Sequence, residues 1–234
     1  MKITLTDQEY PPLTMAPTEP PGLLTSIVRE SFRLVNVEVE FVSVPNNRAI
    51  AGILRGLYDA SYGWAHTPER DEKLLYSSLP IYSMRMVFFQ KSDRKIQWDT
   101  LKDLKQYRIG VTLGDFYSDE FTALSHSGGL SVDAASNDIT NFKKLLLDRI
   151  ELFPIEQDVG QYIVKKYFTI EEQQKITFQS KAISDVPVYF VVRRDYRQAT
   201  EILDRFNRGF RQLASSGQLE KMTAAYRAQY LDKQ

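Results

Sequence analysis

Cysteine is absent from the 234 residues, which excludes disulfide frameworks, thiolate metal sites, iron–sulfur clusters and cysteine nucleophiles together. Histidine is nearly absent. His66 and His126 are the two copies, far apart in sequence, so a His/His metal site or a Ser-His-Asp triad has little to build on. The 11 glycines include no G-x-G pair and no G-x-x-x-x-G-K-[ST] string, so the dinucleotide fingerprint and the phosphate-binding loop are both missing. The nearest approach to a nucleophile elbow, Gly110-Val111-Thr112-Leu113-Gly114, carries threonine where serine would stand. No apolar run approaches the ~18 residues that a membrane-crossing helix needs. Charge of one sign is also lacking: 30 Lys+Arg balance 30 Asp+Glu, whereas nucleic acid or an anionic membrane surface selects a basic excess. Basic pairs such as Lys143-Lys144, Lys165-Lys166 and Arg193-Arg194 lie beside apolar positions and read as solvated faces.

What remains is an ordinary globular composition, 43% hydrophobic and 26% charged, in a length that suits one large domain or two small ones. Strand-like and helix-like patterns alternate almost throughout. A strand over 3–6 leads into a loop with Pro11, Pro12, Pro17, Pro20 and Pro21, and Gly22 opens a helix whose apolar side is Leu24, Ile27, Val28 and Phe32. A half-buried strand follows over 37–44, then a helix capped by Asn46 or Asn47, a strand over 58–63 and a long extended run over 79–90. The second series predicts helices over 98–106, 115–125, 137–148 and 157–168, and strands over 108–113, 132–135, 150–155 and 176–179. A second extended run, 186–192, follows Ser184-Asp185. Beyond Tyr196 the chain is helical, with a core stripe of Ile202, Phe206, Phe210 and Leu213 broken at Gly217.

Such alternation implies an α/β fold of mainly parallel sheets flanked by helices. Two series separated by two extended runs predict two lobes joined by two hinge strands near 84–91 and 186–193. The first lobe is then discontinuous (1–88 plus 191–234) and the second covers 89–190. In sheets of this kind ligands sit beyond the carboxyl ends of the strands, here the segments 7–13, 62–70, 114–117 and 156–160. In 62–70, Arg70 can grip a carboxylate through two parallel hydrogen bonds or pair on the surface with Glu69 or Asp71. Gly63 admits close backbone approach, and Tyr62 or Trp64 can stack on a guest. Glu156, delivered at another strand end, can receive an ammonium group or remain structural; Asp7 and Tyr10 carry the same two readings.

The order Thr6-Asp7-x-x-Tyr10-Pro11, Thr67-Pro68-Glu69-Arg70, Ser77-Ser78-x-Pro80-x-Tyr82, Leu101-x-Asp103-Leu104-Lys105-x-x-Arg108-Ile109-Gly110-Val111-x-x-Gly114 and Leu145-Leu146-x-Asp148-Arg149-Ile150-Glu151 resembles the family 3 extracellular solute-binding proteins. These are the amino-acid-binding components of ABC importers, with a two-lobed type II periplasmic-binding-protein fold. The resemblance runs from Ile3 to about Met222. It is nearest to a less-characterised branch marked by Val87-Phe88-Phe89, Gly114-Asp115-Phe116-Tyr117 and Phe206-Asn207-Arg208-Gly209.

The resemblance implies that Arg70 binds an α-carboxylate, that the backbone around Gly63 and Ala65 contacts ammonium and carboxylate, that Tyr10 covers the side chain, and that Glu156 receives the α-ammonium. It further implies a periplasmic mature chain whose leader has been removed, a monomer capturing a small amino-acid-like ligand by hinge closure, an ABC permease as partner, and no cofactor. Two departures stand out. Asp115 and Phe116 replace the hydroxyl residue that usually follows the second-lobe glycine, so Asp115 either points away or binds a cationic tail, with Phe116 and Tyr117 beside it; and Ala65 replaces another hydroxyl. Two further readings stay open on the same fold: an enzyme like the cyclohexadienyl dehydratases, with Glu156 or Asp115 as acid, and a sensing module uncoupled from transport.

Overall fold

The structure, a computed structural model, describes residues 1–15 and 21–230, apart from the side chains of Asn46 and Asn47. Pro17 and Pro20 lie outside the described residues, and the helix Asn46–Leu54 has Pro45 at its cap position instead of Asn46 or Asn47. The chain divides into two compact units, Met1–Ser83 with Pro187–Gln234, and Met84–Val186. No described helix is long and apolar enough to cross a membrane.

In the first unit, β1 (Lys2–Gln8), α1 (Leu23–Arg33), β2 (Glu38–Val44), α2 (Asn46–Leu54) and β3 (Ala60–Trp64) follow the expected alternation. β1 pairs in parallel with β2, Leu5 opposite Phe41, and with β3, Leu5 opposite Ala60. Two elements were not expected: α3 (Pro68–Lys73) and β4 (Leu74–Tyr76). Their cue was in the sequence, since Thr67 caps the helix by accepting from the Arg70 N–H at 3.3 Å and Pro68 fits its first turn. The chain leaves this unit within β5 (Tyr82–Lys91).

The second unit continues through a 3-10 turn (Leu101–Leu104), β6 (Arg108–Thr112), α4 (Asp119–His126), β7 (Ser131–Ala135), α5 (Asp138–Leu146), β8 (Phe153–Glu156), α6 (Gln157–Tyr167) and α7 (Ile170–Gln173). β6 and β7 are parallel and β5 and β8 antiparallel. The helix expected over 98–106 is only the 3-10 turn. Asp103 Oδ2 accepts from the Asp99 and Thr100 N–H groups, and Lys181 donates to the carbonyls of Trp98 and Asp99, so the preceding backbone is committed elsewhere. The helix expected from 115 begins instead at Asp119, capped by Ser118 Oγ, because Thr112 N–H donates to the Tyr117 hydroxyl at 2.8 Å and holds 115–118 as a turn. The break expected at Ser184-Asp185 is absent: β9 runs unbroken from Ile176 to Arg193 and carries the chain back to the first unit.

There β9 pairs antiparallel with β3 and β4, giving the order β2-β1-β3-β9 with β4 also on β9. α8 (Ala199–Ser215) and α9 (Gln218–Tyr230) complete the unit, separated at Gly217, whose φ of +71° suits glycine. Ile202, Phe206, Phe210 and Leu213 are buried as the stripe requires. Phe206 stacks on Phe190 at 4.4 Å between centroids, with Phe32 of α1 edge-on to Phe190 at 5.4 Å. The second unit has its own aromatic core, Phe142 lying edge-on to Phe89 at 5.2 Å and to Phe153 at 5.1 Å. Two separate cores place the strand ends of each unit independently.

Candidate functional site

The first unit gathers Asp7, Tyr10, Tyr62, Gly63, Trp64, Ala65 and Arg70 at the carboxyl ends of β1 and β3. Arg70 sits half-buried on α3, its guanidinium carbon 4.9 Å from the centre of the Trp64 ring, with Nη1 donating to the Ala65 carbonyl at 3.2 Å. Burial lowers its pKa, yet guanidinium stays charged at neutral pH. The acids expected to compete for it are engaged elsewhere: Glu69 pairs with Lys73 at 3.1 Å and Asp71 with His66 at 2.8 Å. Among the described residues no carboxylate lies within ion-pair distance of Arg70.

Beneath this surface lies a polar knot. Asp7 is fully buried, within β1 rather than in a loop, and its Oδ1 accepts from the Tyr62 hydroxyl and from Thr25 Oγ1 at 3.2 Å. Burial, and then the Asp7 charge, push the Tyr62 pKa up, so the phenol keeps its proton. Tyr62 is itself fully buried, its ring edge-on to Phe41, and so offers no stacking face. Trp64 is buried too, beneath Arg70, with its indole N–H on Ser61 Oγ at 2.7 Å. Both aromatics thus lie under the surface that carries Arg70, with little of either ring exposed. Gly63 has φ +80° and marks a register shift in the β3–β9 ladder; the space a Cβ would take is filled by the Gln8 side chain. Tyr10 sits in the 10–14 turn, where its N–H donates to Thr14 Oγ1 at 2.9 Å.

The second unit gathers Asp115, Phe116 and Tyr117 after β6, and Glu156 at the end of β8. Glu156 is buried and caps α6, Oε2 accepting from the Val159 N–H at 2.8 Å. Asp115 is half-buried, and burial together with the charge of Asp138 pushes its pKa up to about 8. Asp138, at the start of α5, has its pKa raised by burial as well, while its Oδ1 accepts from Thr112 Oγ1 at 2.6 Å. The Thr112 hydroxyl bond opposes that rise at Asp138, whereas Asp115 is raised by burial and by the Asp138 charge. Tyr117 is buried, and Ser184 donates to its carbonyl. Sequence reasoning overlooked Thr25, Thr112, Asp138 and Ser184. Asp138 opens the helix after a parallel strand, the same strand-end rule that found the others; Thr25 and Ser184 had no local signal.

The profile of the bacterial extracellular solute-binding proteins, family 3, matches residues 3–229. The chain belongs to that family. Its arginine-binding relative ArtP of Bacillus subtilis (strain 168), an extracellular protein, is 25% identical over 160 residues, covering 68% of this chain and 59% of ArtP. The match therefore spans about three fifths of that relative's length. Among solved structures, a histidine kinase sensor domain with similarity to periplasmic binding proteins superposes at a TM-score of 0.80, with 19% identity over 99% of this chain and 96% of that one. An ancestral amino-acid-binding protein, AncCDT-1, described as a precursor of cyclohexadienyl dehydratase, gives 0.75 with 20% identity over 96% and 94%. At these identities the superpositions establish the fold, that of type II periplasmic binding proteins. As a member of the family, the chain is a solute-binding protein.

Proposed function

We propose that this solute-binding protein captures an amino acid with a cationic side chain outside the cytoplasm and delivers it to an ABC-type permease. Arg70 carries the reading: a half-buried guanidinium, backed by Trp64 and without an acidic partner among the described residues, is built to take a carboxylate. Glu156 receives the α-ammonium, and Asp115 with Asp138 receives the side-chain cation, which relieves the repulsion between two neighbouring acids. Tyr10 and Phe116 cover the ligand. Hinge closure is part of this proposal: ligand favours a closed arrangement in proportion to its extra affinity for it. ArtP supports the ligand class, since it binds arginine.

Calorimetric titration of the purified protein with L-arginine, L-lysine and L-glutamine tests this reading. Saturable binding of the cationic pair, lost in Arg70→Ala while the variant remains folded, is the expected result. Equal binding of glutamine removes the cation assignment, and no response to any amino acid removes the reading. The raised pKa of Asp115, about 8, also favours a second reading, acid-catalysed dehydration. Turnover of prephenate or arogenate would establish it; no turnover is the expected outcome.

A further inference from the structure

Gln8 ends β1 at 5% exposure. Its Nε2 donates to the Tyr62 carbonyl at 2.6 Å, which fixes the amide, because only nitrogen can face a carbonyl oxygen. With Nε2 placed, Oε1 is left buried without a hydrogen-bond partner. The same Nε2 would lie 2.8 Å from a Cβ at Gly63, the residue where the β3–β9 register shifts and φ is +80°. Such a bulge re-aims the chain that follows it, here the seven residues from Trp64 to Arg70. Gln8 also accepts, through its main-chain carbonyl, the hydroxyl of Thr14, which closes the turn containing Tyr10.

An apolar side chain of the same length would fill this space without stranding a buried acceptor, so packing alone does not account for glutamine here. We propose that Gln8 is a positioning residue: its amide locks the bulge at Gly63 and thereby aims the Trp64–Arg70 segment, while its carbonyl fixes the Tyr10 turn. This rests on the reading of Arg70 as the carboxylate anchor, but its first test does not require a ligand.

Gln8→Met keeps the length and apolar packing while removing both the donor and the stranded acceptor. Amide hydrogen exchange in the unliganded protein is expected to rise about tenfold over 63–66, while α1 and α8 and the melting temperature stay as in the parent. L-Arginine affinity is expected to fall about tenfold, the loss of roughly one hydrogen bond's worth of positioning. Unchanged exchange over 63–66 overturns the proposal, as does a rise shared by α1 and α8 with a lowered melting temperature, which marks simple packing. Should Gln8→Met fail to fold, Gln8→Asn, too short to reach Tyr62, carries the same comparison. If the parent does not bind L-arginine, the functional reading fails and the exchange result alone decides the role of Gln8.

Discussion

At the scale of single residues, charge and its neighbours decide the chemistry. Arg70 is freed by its surroundings: Lys73 engages Glu69, and His66, stacked on Tyr76 at 3.7 Å, engages Asp71. If Arg70 grips the ligand carboxylate as proposed, replacing it by Ala removes two charge-assisted bonds, each worth about 1.5–3 kcal/mol, so affinity is expected to drop at least a hundredfold. Titration calorimetry reads the loss, and a drop under tenfold would show that the carboxylate is held elsewhere. Asp115 gives a prediction with a sign. Its pKa in the folded chain, about 8, lies above that of an unfolded carboxylate, so the folded state holds a proton that the unfolded state releases. The unliganded protein therefore loses stability as pH rises from about 4 towards 8. A cationic ligand requires the ionised acid and expels the proton, so its Kd falls with rising pH by up to about tenfold per unit below 8. Asp115→Asn should flatten both dependences. Calorimetry between pH 6 and 8 in buffers of different ionisation enthalpy measures the proton released, and none released would take Asp115 out of the site.

At the scale of elements, the helices announce themselves by periodicity and their joints by glycine. α1 and α8 meet where Gly209 has no side chain; a Cβ there would lie 1.9 Å from the Ser31 carbonyl oxygen, a rigid backbone atom of α1. Gly209→Ala is expected to destabilise by about 1–3 kcal/mol through forced separation of the two helices. Gly217→Ala meets nothing and costs about 1 kcal/mol from its left-handed backbone alone. Urea unfolding of the two variants should rank them in that order; equal losses would mean that α1 and α8 adjust freely. The same physics explains what the sequence revealed. The stripe Ile202–Leu213 and the alternation of strand and helix were legible because periodicity is local. The length of β9 was not, since 176–179 and 186–192 read as two separate strands until their pairing is known. Trp98 looked helical until Gln179 and Lys181, some eighty residues away, claimed its indole N–H and its carbonyl. The strand-end position of Arg70 and Glu156 was legible in the sequence, whereas the burial of Tyr62 against Asp7 and Thr25 depends on three segments meeting.

At the scale of the whole molecule, each unit owns a core, and the chain crosses between them only within β5 and β9. Each unit can therefore lose its structure with partial independence of the other when unliganded. If, as proposed, capture needs Arg70 as well as Glu156 and Asp115, the ligand binds neither unit alone with full strength, so its free energy is lost when either unfolds. At a hundred times Kd this amounts to about 2.7 kcal/mol. Differential scanning calorimetry is expected to show a broad or two-step transition without ligand. Saturating L-arginine should sharpen it and shift it upward as one. Arg70→Ala and Glu156→Gln, altered in different units, should each abolish the shift for both. If L-arginine raised only the transition of the unit that holds Arg70, the ligand would be bound by one unit, and closure of the hinge would have no part in capture.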